Sequence, residues 1–510
     1  RLDRVAGLMV DDAWYILLAK ALADGDGYRL ISSATAAILP AAPPGFPLLL
    51  APVFALAPAF PANLLALKAI SVVAMLGVGI ATYHYFRDYR RVPDGVAASV
   101  AVATALTPGL VFLATSAVMA EGVFTLAQIL TLLLLDPRDR GPGTTDVRRA
   151  GLAGLLAAAA VLIRAAGVAV LLAGVLYLLK ERSWRRAAVF SGAAVAGLLP
   201  WSVYSAAHAP TAAEAASHGG TLAYAYSNLL ATQRTGDLHA GRATVLDLPG
   251  RMLRNAVNVA ARDLGGVFVP GLLRGADESG QETFSLGRAV GGPPGSMGLA
   301  AGTVVVSSAL SALVLVGWVG SLRPRMAMAE LLVVASMIMI CLVPTRTFRY
   351  VLPLAPFLWM YLAQGVRALA EAVGRWARMP GVDGAAALRV VLLCLLVLQV
   401  RDHVEYVVLK ANDAPAPNWL ADARETDAVL DWMTRNLPPG APIASTNPGL
   451  VYLRTGRKGV ASANPATNWP RWKADGIRYI VALRPMPLPP RSSGYQVLYM
   501  SKGRLWVVRI

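Results

Sequence analysis

Residues 152–179, LAGLLAAAAVLIRAAGVAVLLAGVLYLL, form one apolar run in which Arg164 is the only charged residue. A membrane span needs about twenty apolar residues, so this run is long for a single helix. Arg164 and Gly167 interrupt it near the middle, and basic residues flank it on both sides. The pattern predicts two short helices that meet at Arg164, close to one face of a membrane.

The composition extends this prediction to most of the chain. Its 510 residues are 56% hydrophobic and 15% charged, with a mean hydropathy of +0.53, whereas soluble domains are about 25% charged. The net charge of +17 does not indicate nucleic-acid binding, because the basic residues lie mainly in short loops between apolar runs. Cys341 and Cys394 fall inside apolar runs, so no disulfide framework is expected. The excess of Arg over Lys and the abundance of Ala are typical of a bacterial protein.

The apolar runs predict a mainly α protein, a polytopic membrane helix bundle of about ten spans. The further spans are expected at 64–86, 95–113, 118–135, 187–204, 299–319, 329–343, 350–369 and 388–400. The proline-rich segment 46–60 is short for a span, so we expect it to be interfacial or re-entrant, with a short span as the alternative. No span precedes Asp11, and we therefore expect a first transmembrane helix before Arg1.

Two domains are predicted. Residues 1–402 are expected to form the transmembrane domain, in which 1–60 is the first external loop and 205–297 a large external loop. Polar and turn residues increase after about residue 401. Residues 403–510 are therefore expected to form a small extramembrane α/β domain with a helix at 426–436 and strands at 443–445, 479–483, 495–500 and 505–510.

The distribution of basic residues predicts the membrane orientation. We place the basic clusters after Phe86, Leu135, Leu179, Gly320 and Glu371 in the cytoplasm, and every alternate loop then follows the positive-inside rule. This assignment puts a second group of features on the external face: Asp11, Asp12, Glu121, Arg164, the 205–297 loop, Arg346, Arg349 and the C-terminal domain.

Two adjacent carboxylates open the first predicted helix, in the run VDDAWYILLAK at 10–20. Asp11 and Asp12 could simply complement the helix macrodipole at a solvated N-terminus. Ionised groups beside a membrane body are costly and often functional, which favours a chemical centre. The same two interpretations, interfacial cap or functional acid, apply to Glu121.

Three arginines on the same predicted face could bind an anion. Arg164 is expected either to do so or to extend its side chain to the interface. Arg346 and Arg349 share one side of a helix start, and a guanidinium offers a fork of donors suited to phosphate oxygens. A carboxylate acting as general base beside arginines that stabilise a phosphate leaving group would support sugar transfer from a polyprenyl phosphate.

The other motif classes give no competing site. The chain has no P-loop, His-Glu-x-x-His, cysteine-pair or Gly-x-Ser-x-Gly motif. Its five histidines are scattered, so no metal site is assigned, although a divalent metal is left open.

In their order along the chain, these residues resemble the GT-C superfamily of membrane glycosyltransferases, especially the protein O-mannosyltransferases and the lipid A aminoarabinose transferase. The resemblance covers roughly residues 10–370 and is carried by these positions: Asp11-Asp12-Ala13-Trp14-Tyr15, Pro43-Pro44-Gly45-Phe46-Pro47, Glu121, Arg164 and Arg349-Tyr350 with Pro353.

The resemblance implies an inverting transferase that uses a polyprenyl-phosphate sugar and a glycan, lipid or protein acceptor. It implies Asp11 as the base, with Asp12 as the second acid. Members often have an arginine where this chain has Trp14, and a charged pair where it has Ala41-Ala42. Phosphate binding is therefore assigned to four other cations: Lys20, Arg164, Arg346 and Arg349. Glu121, Tyr15 and Tyr350 complete the expected site, on the external face of a bacterial cytoplasmic membrane.

Two other classes remain open. A polytopic transporter or lipid flippase would be expected to carry charges deep within its spans and often internal symmetry, whereas the charges here lie at one face and no repeat is seen. A non-catalytic cell-envelope protein would tolerate loss of both acids. Tyr224, Tyr226 and Asn228 of the large loop could contact an acceptor, but ordinary loop packing is the simpler interpretation.

Overall fold

A helical bundle and a small sheet domain at one of its ends make up the described part of the chain. The structure is a computed structural model that describes residues 5–7, 9, 11–34, 39–40, 42–136, 147–211, 214, 231, 242–269, 297–322, 326–344, 348–376, 383–411, 418–461, 465–484, 486–502 and 504–510. The predicted contacts of Arg346, Tyr224, Tyr226 and Asn228 lie outside these residues.

The bundle helices follow the apolar runs of the sequence. In chain order they are α1 Asp11–Ala23, α2 Gly45–Leu56, α3 Leu64–His84, α4 Asp94–Ala105, α5 Pro108–Thr115, α6 Glu121–Leu135, α7 Val147–Ile163, α8 Val168–Lys180, α9 Trp184–Ala207, α10 Asp247–Asn258, α11 Leu264–Phe268, α12 Met297–Ser321, α13 Met328–Leu342, α14 Phe348–Val351, α15 Ala355–Trp376 and α16 Gly384–Ala411. Short π or 3-10 segments at Tyr85–Tyr89, Ala165–Gly167, Val259–Asp263 and Leu352–Leu354 join some of them.

Within the described residues, three helical segments are long and apolar enough to cross a membrane: Leu64–Tyr89, Trp184–Ala207 and Gly384–Val408. The pair Asp94–Ala105 and Pro108–Thr115, bent by 47°, adds a fourth if it is one span. Other apolar helices, such as α6 and α13, are shorter. The membrane-helical class is therefore as predicted, whereas the count of about ten spans stays a prediction.

The span predicted at 95–113 is not one straight helix. It is broken into α4 and α5 at Leu106 and Thr107. Pro108 occupies the first turn of α5, and Thr107 before it has an extended backbone, with φ −53° and ψ 115°. A residue before proline avoids the helical conformation, which explains the bend that the hydrophobic pattern alone did not show.

The predicted break at Arg164 is confirmed. Arg164 is extended, with φ −148° and ψ 136°, between α7 and the short turn that leads into α8. Gly167 folds back so closely that a Cβ there would lie 2.3 Å from the amide nitrogen of Val161. Only a residue without a side chain fits this contact, so the glycine allows the sharp return of the chain beside Arg164.

The proline-rich segment forms α2, which has 12 residues. This length is short for a span and agrees with the interfacial or re-entrant interpretation. A Cβ on Gly45 would lie 2.7 Å from the carbonyl carbon of Leu162, so α2 begins against the end of α7. The hydroxyl of Tyr28 lies 2.9 and 3.0 Å from the carbonyl oxygens of Ala42 and Pro43 and holds the preceding loop.

Charged residues from several predicted cytoplasmic loops meet at one end of the bundle, which we call the distal end. Arg90, after α3, pairs with the buried Glu330 of α13 at 2.6 Å. Arg149 and Arg186 donate to the last carbonyl groups of α6 at 2.8 and 3.2 Å. The structure thus groups these loops as predicted, although their assignment to the cytoplasm stays a prediction.

The sheet domain lies at the opposite end. It consists of α17 Asn418–Asn436, β1 Ile443–Ser445, α18 Pro448–Thr455, β2 Gly459–Ala461, α19 Pro465–Ala474, β3 Tyr479–Ala482, β4 Gln496–Ser501 and β5 Leu505–Arg509. The strand order is β2-β1-β3-β5-β4, with β1 parallel to β2 and β3, and β5 antiparallel to β3 and β4.

Four of these strands match the sequence predictions, which missed β2, α18 and α19. The predicted domain boundary at 402–403 lies inside α16, because the helix continues to Ala411. Ser33, from the loop after α1, forms a parallel bridge to Gly459 at the edge strand β2. The sheet domain is therefore joined to the first loop of the chain as well as to α16.

Candidate active site

The two acids at the start of α1 have different surroundings. Asp12 is fully buried, and its carboxylate accepts hydrogen bonds from the amides of Gly7, Met9 and Ala13 at 2.6, 3.1 and 3.0 Å. It therefore fixes the segment that precedes the helix. The side chain of Asp11 is 44% exposed and is the accessible carboxylate of the pair.

Burial controls the protonation of Asp12. Desolvation raises the pKa of its carboxyl from 3.8 to about 6, the negative charge of Asp11 adds to the rise, and the three backbone hydrogen bonds oppose it. A hydrogen bond to the charged form of an acid stabilises that form. The three backbone donors thus offset part of the cost of burying the charged carboxylate.

A chain of ion pairs leads from Asp11 into the bundle. Arg349 Nη2 lies 2.6 Å from Asp11 Oδ2, and its Nε lies 2.9 Å from Glu121 Oε1. The same Glu121 oxygen contacts Nη1 of Arg164. The buried carboxylate of Glu121 is therefore paired with two guanidinium groups. We call the four residues Asp11, Arg349, Glu121 and Arg164 the charge cluster.

The burial of Glu121 makes this arrangement unusual. Its side chain is fully buried, and Arg164 is only 7% exposed. Within the described residues neither oxygen of Glu121 accepts a hydrogen bond of good angle. Asp11 and Glu121 together balance the charges of Arg349 and Arg164, and the start of α6 places the positive end of its helix dipole at Glu121.

Local chain breaks place the two arginines. Arg164 occupies the extended break between α7 and α8, and its buried side chain reaches Glu121 from there. Arg349 belongs to the one-turn helix α14, which the proline-containing segment Leu352–Leu354 ends. The guanidinium of Arg164 lies 5.7 Å from the ring centre of Tyr350, a cation–π distance. Both arginines thus stand on short, interrupted elements rather than inside long helices.

The structure brings together most, but not all, of the predicted site residues. Tyr15 is buried on α1 and packs edge-on against Phe46 at 5.1 Å. Lys20 instead pairs with Asp24 at 2.6 Å in a partly exposed contact. It lies roughly 13 Å beyond Asp11 along α1, at 1.5 Å per residue, and therefore outside the charge cluster.

Sequence reasoning missed Lys68 of α3. This lysine is fully buried and lies one helical turn before Ser71, whose hydroxyl donates to the carbonyl of Met119 at 3.0 Å. That contact places Lys68 close to the segment that enters α6. A lysine within an apolar span was the available signal, because such residues are rare and commonly functional.

The sequence also gave no indication of the contacts that the sheet domain makes with α1. The side-chain amide of Asn447 donates to the carbonyl of Gly7, which precedes it by 440 residues. Asn447 also caps α18, where its Oδ1 accepts from the amide of Leu450 at 3.1 Å. The Asn-Pro start predicts a helix cap, but no local pattern predicts its distant partner.

The described residues contain no group of three or more His, Cys, Asp or Glu side chains that could hold a metal ion. Asp11 and Glu121 are instead neutralised by arginines.

No protein-family model and no curated protein sequence matches this chain. Its structure is similar to that of ArnT from Cupriavidus metallidurans bound to undecaprenyl phosphate, with a TM-score of 0.52 and 11% identity over 98% of this chain and 93% of that one.

A second similar structure is the archaeal oligosaccharyltransferase AglB from Archaeoglobus fulgidus, in complex with an inhibitory peptide and a dolichol-phosphate. The TM-score is 0.50 with 12% identity, over 92% of this chain and 65% of that one. The chain thus spans less than two thirds of the archaeal protein. At these identities the comparison shows the fold alone: the chain shares the fold of these membrane proteins, as the resemblance to the GT-C superfamily implied.

Proposed function

We propose that the protein is a glycosyltransferase that moves a sugar from a polyprenyl-phosphate donor to an acceptor hydroxyl at the external face of a bacterial cytoplasmic membrane. The charge cluster is the observation that carries this proposal. It places a partly exposed carboxylate, Asp11, in contact with an arginine that also belongs to a buried group with Glu121 and Arg164. A base and a phosphate site need this combination of charges.

Asp11 acts as the general base in this scheme. Its carboxylate takes the proton of the acceptor hydroxyl while the acceptor oxygen bonds to the anomeric carbon of the sugar. The bond from that carbon to the phosphate oxygen breaks, and the electron pair leaves with the polyprenyl phosphate. Attack from the side opposite the phosphate inverts the anomeric centre. Asp12, enclosed by three amides, holds the loop that presents Asp11.

Arg349 and Arg164 stabilise the leaving phosphate. Negative charge grows on the phosphate as the bond breaks, and preorganised cations in a buried site stabilise such charge strongly. Glu121 keeps the two guanidinium groups in place before the donor binds, so the phosphate joins an assembled site. Arg346 is proposed as a further phosphate contact, and Tyr15 and Tyr350 as walls of the site. Lys20, which was predicted as a phosphate contact, is not included because it pairs with Asp24 outside the charge cluster.

The similar structures support the proposed ligand classes. ArnT is bound to undecaprenyl phosphate, and AglB to a dolichol-phosphate and a peptide. By analogy with these proteins, a polyprenyl phosphate is the proposed lipid, and a glycan, lipid or protein the proposed acceptor. No cofactor besides the donor is assigned.

The test is transfer by purified protein from labelled polyprenyl-phosphate sugars. We expect Asp11→Asn to lower kcat by about 100-fold or more, the usual contribution of a general base. Asp24→Asn, at the far end of the same helix, is the matched control and should retain transfer. Full activity of Asp11→Asn would contradict the assignment of the base. Absence of transfer from every donor, with lipid movement across vesicles, would instead favour a flippase.

A further inference from the structure

Asn447 lies in the sheet domain but touches the loop that carries the acid pair. We propose that Asn447 is a positioning residue that holds Gly7 so that the Gly7 amide reaches Asp12. In this way the sheet domain contributes to the geometry of the candidate site. The catalytic consequence rests on the proposed function, whereas the contact itself does not.

The side-chain amide of Asn447 makes hydrogen bonds through both its nitrogen and its oxygen. The residue is 4% exposed. Its Oδ1 caps α18 through Leu450, and its Nδ2 donates to the carbonyl of Gly7. A buried amide with donor and acceptor both satisfied has one preferred orientation, because rotation would leave polar groups unpaired. Asn447 therefore fixes Gly7 relative to α18.

The backbone of Gly7 connects Asn447 to Asp12 through two hydrogen bonds. Its carbonyl is held by Asn447, and its amide donates to Asp12 Oδ2 at 2.6 Å. Its φ is +85°, in the region that favours glycine, and a Cβ would lie 2.6 Å from Leu450 Cδ1. The peptide is thus confined by its conformation, by α18 and by two hydrogen bonds, which leaves little freedom for independent movement.

A second attachment lies after α1. The amide of Gly459 donates to Ser32 at 2.8 Å, and its carbonyl accepts from the amide of Ala34 at 3.3 Å. Between the two attachments, Gly449 of α18 lies close enough to α1 that its Cβ would contact Ala13 at 3.6 Å. The sheet domain therefore holds α1 before its start, along its length and after its end.

Within the part of the chain that the structure describes, few charges act on Asp12 besides these hydrogen bonds. Asp11 neighbours it on the same helix and is itself paired with Arg349. The basic residue of α18, Arg454, pairs with Asp427 at 2.9 Å, and Lys20 pairs with Asp24. Loss of the Gly7 amide would remove a hydrogen bond that lowers the pKa of Asp12, so that pKa should rise above about 6.

Asn447→Ser isolates this role. Serine is also a good N-cap, so α18 is kept, but its hydroxyl is too short to replace the amide that reaches Gly7. The matched control is Asn436→Ser, in the same domain, where an exposed amide donates to Trp432 within its own helix. We expect hydrogen exchange of peptides spanning 5–13 to increase in Asn447→Ser and not in the control.

The pH profile supplies the catalytic readout. We expect transfer by Asn447→Ser to fall at least tenfold at pH 7, with the acid limb of kcat/KM moved to higher pH and activity partly restored above pH 8. In an Asp12→Asn background the same substitution should cause little further loss.

Two results would overturn the proposal: unchanged exchange at 5–13, or an activity loss that is independent of pH and additive with Asp12→Asn. Because hydrogen exchange needs no substrate, a protein that shows no transfer would refute the proposed function alone.

Discussion

Glu121 is the residue on which the charge cluster depends. A fully buried carboxylate between two arginines is costly to dehydrate, and it persists because each charge has a partner. Removing one member leaves the others buried without compensation. The same residue limits how much positive charge the site can offer to a phosphate, so it affects both stability and ligand binding.

We expect Glu121→Gln to destabilise the purified protein by about 3–5 kcal/mol, the usual cost of breaking a buried ion pair. Undecaprenyl phosphate should then raise the melting temperature of the variant more than that of the wild type, because the phosphate replaces the missing negative charge.

Glu330→Gln is the matched control at the distal end, where another fully buried glutamate pairs with Arg90. It should lose stability without any additional rescue by the lipid. Equal rescue of both variants would show that the lipid does not bind at the charge cluster.

At the scale of elements, the apolar runs predicted most helices because hydrophobicity alone decides what a membrane accommodates. The break at Arg164 was predictable for the same reason, since a charge interrupts the run. The bend at Thr107 was not, because it depends on one proline within an otherwise apolar segment. The strand β2 was missed because its three residues, Gly-Val-Ala, include a glycine and an alanine, which are depleted in strands.

The turn at Gly167 gives a prediction about this break. We expect Gly167→Ala to destabilise the protein by about 1–3 kcal/mol, because the new methyl group would overlap Val161 of α7. Thermal unfolding in detergent measures the change.

Gly192→Ala in α9 is the control, since its Cβ would meet nothing within 4 Å. Alanine is also the better helix former, so this variant should be neutral or slightly more stable. A neutral Gly167→Ala would mean that the break does not need the close contact.

At the scale of the whole molecule, the sequence predicted that the charges of the candidate site share one face, and the structure places Asp11, Glu121, Arg164 and Arg349 in contact. Charge alternation between loops was enough for this prediction. Charge alternation did not predict that Asn447 and Gly459 bind the segments on either side of α1. Hydrogen bonds between distant segments produce no periodic pattern in a sequence.

The two ends of the bundle make the orientation testable. In a protein with Cys341 and Cys394 replaced by serine, we expect Gly95→Cys at the distal end and Lys473→Cys in the sheet domain to react with a membrane-impermeant thiol reagent from opposite sides. Both positions are exposed. Labelling of both from the same side of sealed cells or inverted vesicles would contradict the predicted topology.

The bond between Asn447 and Gly7 joins residues 440 positions apart, and this has a consequence for how the protein is made. While translation proceeds, the nascent chain can insert its membrane helices one after another, but the segments on either side of α1 lack their sheet-domain partners until the ribosome has passed Asn447 and Gly459. These contacts can therefore form only after nearly the whole chain has been synthesised. A chain that ends before them would insert, carry every acid and arginine of the cluster, and still lack the frame that orders Asp12.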